Sequence, residues 1–154
     1  MATAVSIESA QQQVPAIDDQ ICFALYAASR ALTTRYRELL APLDLTYPQY
    51  LAMVVLWEGR QISVAQLGER LYLDSGTLSP LLRRLEARGL VSRTRSSTDE
   101  RSVLVNLTDA GNGLRAQAAG IPQAICESTG LDVASLVALQ QQVVALGASV
   151  RATI

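Results

Sequence analysis

The sequence predicts a mainly α-helical domain in which a helix-turn-helix is followed by a small β-hairpin. Between residues 63 and 88, two short helix-forming segments, each opened by a capping residue, are tightly joined. Two β-rich runs around a polar loop come directly after them. Longer segments with apolar residues at helical spacing lie on either side.

In chain order, a polar stretch over residues 1–17 leads to Asp18 or Asp19, either of which is placed to cap a helix reaching about residue 42. Its apolar positions Ile21, Leu25, Ala28, Leu32, Tyr36 and Leu39 recur at helical intervals. The stretch 43–48 breaks it, and Thr46 or Tyr47 before Pro48 suits the first turn of the next helix. Residues 49–57 are apolar nearly all round, which calls for a buried helix ending near Gly59. Ser63-Val64-Ala65-Gln66 has capping-box spacing and opens a helix through Leu71. Asp74-Ser75-Gly76-Thr77 signals the next start, Leu78, Leu81, Leu82 and Leu85 line one face, and Gly89 stops it. A start at Ser75 places Pro80 where it removes the bond to the Gly76 carbonyl, whereas Ser79-Pro80 alone would read as a later start. The earlier start, with a loose first turn, is adopted. Residues 91–95 and 102–107 read as paired strands around the loop 96–101. Thr108 caps a helix running towards residue 120, Pro122 interrupts, and Asp132 opens a last helix. Its residues Leu136, Leu139, Val143, Leu146 and Val150 form a seam suited to another helix. One domain is expected over residues 18–154, with the helix-turn-helix and hairpin at about 48–107.

Composition narrows the chemistry. With 154 residues, 49% hydrophobic and 18% charged, the chain has material for a real core. It contains no His, the commonest metal ligand and the usual general base near neutral pH. Two Cys cannot make a tetrahedral zinc site and are too few for a disulfide-framed secreted fold. No metal site and no cofactor are expected. The N-terminus lacks the pattern of a signal peptide, and the longest uninterrupted apolar runs, 21–28 and 51–57, are too short to cross a bilayer. A cytoplasmic protein without a membrane partner is the expectation.

The net charge of −1 conceals a local excess. Residues 60–101 hold 8 Arg against 5 acidic residues, and all 13 basic residues are Arg. On the 75–88 helix, Gly76, Ser79, Pro80, Arg83 and Ala87 fall roughly opposite the leucines, with Thr77 and Arg84 on a flank, and Ser75 at the helix start is a further candidate contact. Small and hydroxylated residues beside Arg let a helix approach a DNA groove while still donating hydrogen bonds. The hairpin adds Arg93, Arg95 and Arg101, and Asp99 is placed to hold the Arg101 guanidinium extended. An Arg on a narrow hairpin suits the minor groove. Taken alone, the same arginines would be a solvated face with surface pairs worth little. Coupled to a helix-turn-helix, they read as a DNA-binding surface.

Cys22 falls in the first turn of the first helix, where free N–H groups and the helix dipole favour a thiolate. Asp18 and Asp19 oppose this by repulsion. Tyr26, Tyr36 and Tyr47 have phenols able to donate to such an anion, and a thiolate attacks peroxide to give a sulfenic acid that a second thiol captures. Cys126 is the one candidate for that thiol. The plainer reading makes both cysteines small packing residues and the tyrosines core aromatics.

The run QICFALYAASRALTTRYRELLAPLDLTYPQYLAMVVLWE and the later LGERLYLDSGTLSPLLRRLEARGLVSRTRSSTDERSVLVNLTDAG resemble the organic hydroperoxide resistance branch of the MarR family. DERSVLVNLT is similar to the family's wing motif, and ICFALY and LDLTYPQY to the peroxide-sensing branch. The resemblance spans residues 17–120 and implies a winged helix-turn-helix repressor. It also implies an obligate homodimer built on helices 18–42 and 109–152. Cys22 then matches the reactive cysteine. Tyr36 and Tyr47, with Tyr26 as a weaker match, fit the hydrogen-bonding tyrosines, which come largely from the opposite subunit. Asp99 and Arg101 match the wing pair, and residues 74–88 the recognition helix. The implied function is a repressor on pseudo-palindromic operator DNA, released when an organic hydroperoxide oxidises Cys22 and Cys126 of the other subunit closes a disulfide. Rival readings are a repressor released by a small apolar acid, a thiol peroxidase, and a dimerisation module that does not bind DNA.

Overall fold

The computed structural model describes residues 14–154, so most of the expected polar tail over 1–17 lies outside the described residues. The chain divides into two compact units at Thr34/Arg35.

In the first unit, a single 3-10 turn at Ile17–Asp19 precedes helix α1, Ile21–Leu40. Asp18 and Asp19 sit inside that turn and do not cap α1, contrary to the sequence reading. The helix starts after Gln20, whose backbone is extended, whose carbonyl accepts from the Ala24 N–H at 3.1 Å, and whose side chain donates to the Pro15 carbonyl. Ile21, Phe23, Tyr26 and Leu32 are all exposed on this stretch of α1.

In the second unit, α1 gives way to a 3-10 turn at Ala41–Leu43, closed by Asp44 in the left-handed region (φ 51°). Helix α2, Tyr47–Trp57, opens on a capping box. Thr46 accepts from the Gln49 N–H, and the Gln49 side chain accepts from the Thr46 N–H at 2.9 Å. Its apolar faces are nearly all buried, as expected. Strand β1, Ile62–Ser63, leads into α3, Val64–Leu71, through the expected capping box of Ser63 and Gln66.

Helix α4, Ser75–Ala87, begins at the earlier of the two candidate starts with Pro80 inside it. Its first turn is firm rather than loose. The Asp74 carboxylate accepts from the Thr77 N–H at 2.7 Å, and the Asp74 carbonyl accepts from Leu78. Between α3 and α4 the turn is made by Tyr72 at φ 53°, a conformation for which the sequence gives no Gly or Asn signal.

Strands β2, Val91–Arg95, and β3, Val103–Leu107, form the hairpin, and β1 adds a third strand that the sequence did not reveal. All pairing is antiparallel in the order β1-β3-β2, with Ile62 opposite Val105 and Arg95 opposite Val103. Helix α5, Asp109–Ala118, is capped by Thr108. The helix breaks before Pro122, as expected, since α5 ends at Ala118, but the proline does not end the helical region. It lies in the first turn of a further helix, α6, Ile121–Thr129, where its missing N–H costs nothing. Helix α7, Val133–Arg151, is capped by Asp132.

The core gathers α2, α3, α4 and the sheet around Met53, Leu67, Leu78, Leu82 and Leu85, all essentially closed to solvent. Helix α7 contributes nothing to it. Val137, Leu139, Val143, Leu146 and Val150 stand exposed along a 19-residue helix.

Candidate thiol site and nucleic-acid interface

Cys22 is the second residue of α1, so its backbone N–H belongs to the first turn, where no intrahelical acceptor is available. The thiol is free and exposed, and α1 has no acidic side chain in its first turn. The nearest carboxylates, Asp18 and Asp19, lie in the 3-10 turn that precedes the helix. Tyr26, one turn on, is exposed. Its hydroxyl accepts from Arg30 at 2.9 Å, and the guanidinium also lies over the ring at 5.6 Å from the centroid.

Within the second unit, Tyr36 and Tyr47 are stacked with ring centroids 4.1 Å apart, and Tyr50 lies 5.8 Å from Tyr36. Burial pushes the Tyr36 phenol up to about 12, helped by Tyr47, Tyr50 and, more weakly, the Cys126 thiol. Tyr47 is also raised, chiefly by burial. Both phenols thus remain protonated donors throughout the physiological range. The folded state holds the Tyr36 proton more tightly than an unfolded chain with a phenol near 10, so this contribution to stability is intact below pH 10 and is lost as pH rises towards 12. An ultraviolet tyrosinate titration should accordingly show the Tyr36 phenol ionising late, towards pH 12. If Tyr36→Phe removes no late-ionising phenol from that titration, the buried stack is absent.

Cys126, on α6, is free and exposed. Its helix is tied to the end of α1, because Arg35 donates from Nε to the Ser128 hydroxyl at 3.2 Å while pairing with Glu38 at 2.8 Å. The second thiol and the Tyr36–Tyr47 stack therefore share one region of this unit. Nothing in the sequence around Cys126 announced that helix.

On α4 the leucines face inward, and Ser75, Gly76, Thr77, Pro80, Arg83 and Arg84 are exposed, with Ser79 half-buried. This is the face the helical period assigned to a groove. The hairpin arginines divide. Arg93 is committed to Glu86 of α4 at 2.7 Å, whose carboxyl is held below its ordinary value by that hydrogen bond. Arg95 and Arg101 are exposed on the hairpin, with no ion pair to another described residue. Asp99 does not hold the Arg101 guanidinium. It accepts from the Arg101 backbone N–H at 3.1 Å, while the Ser96 hydroxyl accepts from the N–H groups of Thr98 and Asp99. These bonds shape the loop and leave the Arg101 side chain unengaged.

The middle of the chain, residues 35–117, matches the family described as transcriptional regulator SarA/Rot. Over 109 residues the chain is 52% identical to the organic hydroperoxide resistance transcriptional regulator of Bacillus subtilis, covering 71% of this chain and 74% of that protein. Among solved structures it is similar to AbfR of Staphylococcus epidermidis. Reduced AbfR bound to DNA gives a TM-score of 0.67 at 32% identity, over 84% of this chain and 94% of that one. The disulfide-formed AbfR gives 0.58 at 32% identity, over 84% and 91%.

Proposed function

We propose that this chain, which belongs to the MarR family of transcriptional regulators and to its organic hydroperoxide resistance branch, is a homodimeric DNA-binding repressor switched by thiol oxidation. The observation that carries the reading is the free, exposed Cys22 thiol in the first turn of α1. Dimer formation is supported by the bare apolar faces of α1 and α7, which in a folded protein call for a partner helix. Helix α7 is long and apolar enough to cross a membrane by length and composition. Gln140, Gln141 and Gln142 at its middle favour a helix partner over lipid, where three unpaired amides would be costly.

In the reduced state each subunit places α4 in the major groove of one half-site and the hairpin in the adjoining minor groove. Ser75, Gly76, Thr77, Ser79, Pro80, Arg83 and Arg84 form the first surface, and Arg95 and Arg101 the second. Asp99 shapes the loop, and Arg93 braces it on Glu86. The Cys22 thiolate attacks the distal peroxide oxygen. The O–O bond breaks, the peroxide's proton passes to the leaving alkoxide to give the alcohol, and the sulfenate that remains takes a proton from water to become sulfenic acid. Tyr36 and Tyr47 of the partner subunit, with Tyr26, donate hydrogen bonds to the sulfur. Cys126 of the other subunit then attacks the sulfenic sulfur, the S–S bond forms, and water leaves. Because a disulfide needs Cα atoms within about 7 Å, closing it pulls on the helices that set the spacing of the two reading heads. A one-time switch requires no turnover and no general base, so the chain acts as a cytoplasmic regulator rather than as a peroxidase.

The test uses a fragment of the promoter upstream of the gene, with an organic hydroperoxide added to the reduced protein. Wild type should bind and then release, with a covalent dimer on a non-reducing gel. Cys126→Ser should still form the sulfenic acid, trapped by dimedone, and should show no covalent dimer. Release under reducing conditions by a small aromatic acid, with no response to peroxide, would replace this reading with ligand-controlled repression.

A further inference from the structure

The C-terminal end of α1, the turn after it, the start of α2 and the last turns of α4 enclose an open cavity of about 630 Å³, which meets the proposed DNA interface at Arg84. Its charged groups are Arg37, Arg84, Arg88 and Asp44. Arg88 is engaged: it donates to the carbonyls of Asp44 and Leu43, and its Nε lies 3.7 Å from the Asp44 carboxylate. Arg37 and Arg84 are exposed and make no ion pair or side-chain hydrogen bond to any described residue. Two guanidinium groups thus line one cavity unpaired, while its one carboxylate, Asp44, lies against Arg88.

We propose that this cavity seats a backbone phosphate of the bound duplex, held between Arg37 and Arg84. The inference rests on the repressor reading above and adds Arg37, a residue outside the helix-turn-helix and its hairpin, to the DNA contact. The geometry follows from dimensions. A helix with its side chains is about 10–12 Å across, and the major groove is about 12 Å wide, so both flanks of an inserted helix lie against phosphate walls. At about 100° per residue, Thr77, Arg84 and Arg88 share one flank of α4, the flank on which the cavity opens. Arg37 reaches the same place from α1. Wide opening to solvent suits a phosphate delivered with its duplex. A small free acid would need most of its surface enclosed to bind usefully.

Phosphate contacts are independent of sequence, so the probe is a short duplex of arbitrary sequence, bound to the reduced full-length protein across a salt series. A symmetric dimer makes the contact twice. Arg37→Gln should therefore weaken binding and flatten the slope of log affinity against log salt by about 1.8, and Arg37→Lys should restore most of it. An unchanged slope in Arg37→Gln overturns the proposal. So does calorimetric binding of benzoate to wild type that this variant loses with its slope intact, which assigns the cavity to a small carboxylate. Failure of the underlying repressor reading looks different: wild type itself would show no salt-dependent binding to any duplex.

Discussion

Cys22→Ser should bind operator DNA as tightly as wild type in reducing buffer and should keep that grip when an organic hydroperoxide is added. The hydroxyl is nearly the size of the thiol and lies on an exposed turn, so neither the fold nor α4 is disturbed. Serine does not ionise near neutral pH, however, and has no sulfur to oxidise. Wild type should lose affinity on the order of 10–100-fold on oxidation, the range of a typical two-state coupling. The variant should change by less than about twofold, well below that coupling. Anisotropy titrations before and after peroxide measure both. A variant that still releases its DNA places the sensor elsewhere.

The distinction between what the sequence reveals here and what it hides is physical. Capped helices were legible because a cap is local chemistry. Thr46, Ser63, Asp74, Thr108 and Asp132 each bond a backbone N–H three residues on; the last four helices begin where the sequence placed them, and the structure decides for Thr46 over Tyr47 as the cap of α2. The short β1 was not legible, because Ile62 and Ser63 become a strand only by pairing with Leu104 and Val105. Helix α6 was missed for a related reason. Its Gly120 cap makes no side-chain bond, and Pro122 reads equally as a stop or as a first-turn residue. The start of α1 misled because Asp18 and Asp19 have the chemistry of a cap, yet the chain spends them on a 3-10 turn.

The site divides along the same line. The outward face of α4 follows from the helical period and was assigned correctly to the surface. Which hairpin arginine is already paired does not follow from any period, because Glu86 meets Arg93 only after α4 and β2 have packed. Arg37 gave no signal at all. It is one polar residue on a long helix until the turn at 41–46 folds it onto the cavity that Arg84 also lines.

Gly111→Ala should be among the most destabilising single substitutions available, costing more than about 4 kcal/mol. Gly111 lies in the first turn of α5, where its N–H donates to the Thr108 hydroxyl at 3.0 Å and its carbonyl accepts from the Trp57 indole N–H at 3.0 Å. The Leu90 backbone runs directly against it. A Cβ here would overlap the Leu90 carbonyl oxygen and fall 3.0 Å from the carbonyl carbon and 3.2 Å from a Leu107 methyl. The first two obstacles are backbone and cannot rotate away. Relief requires moving α5 off the junction between α4 and β2. That would stretch the indole bond and the pair of bonds by which Thr108 ties α5 down, from its N–H to Leu90 and from its hydroxyl to Gly89. Gly113→Ala is the control, since its Cβ meets nothing within 4 Å and exchanges a flexible residue for a better helix former. Urea unfolding at matched protein concentration should show Gly113→Ala at or slightly above wild type and Gly111→Ala far below it, or too unstable to purify. A loss of under about 1 kcal/mol at Gly111 would mean that α5 sits farther from Leu90 than the structure places it.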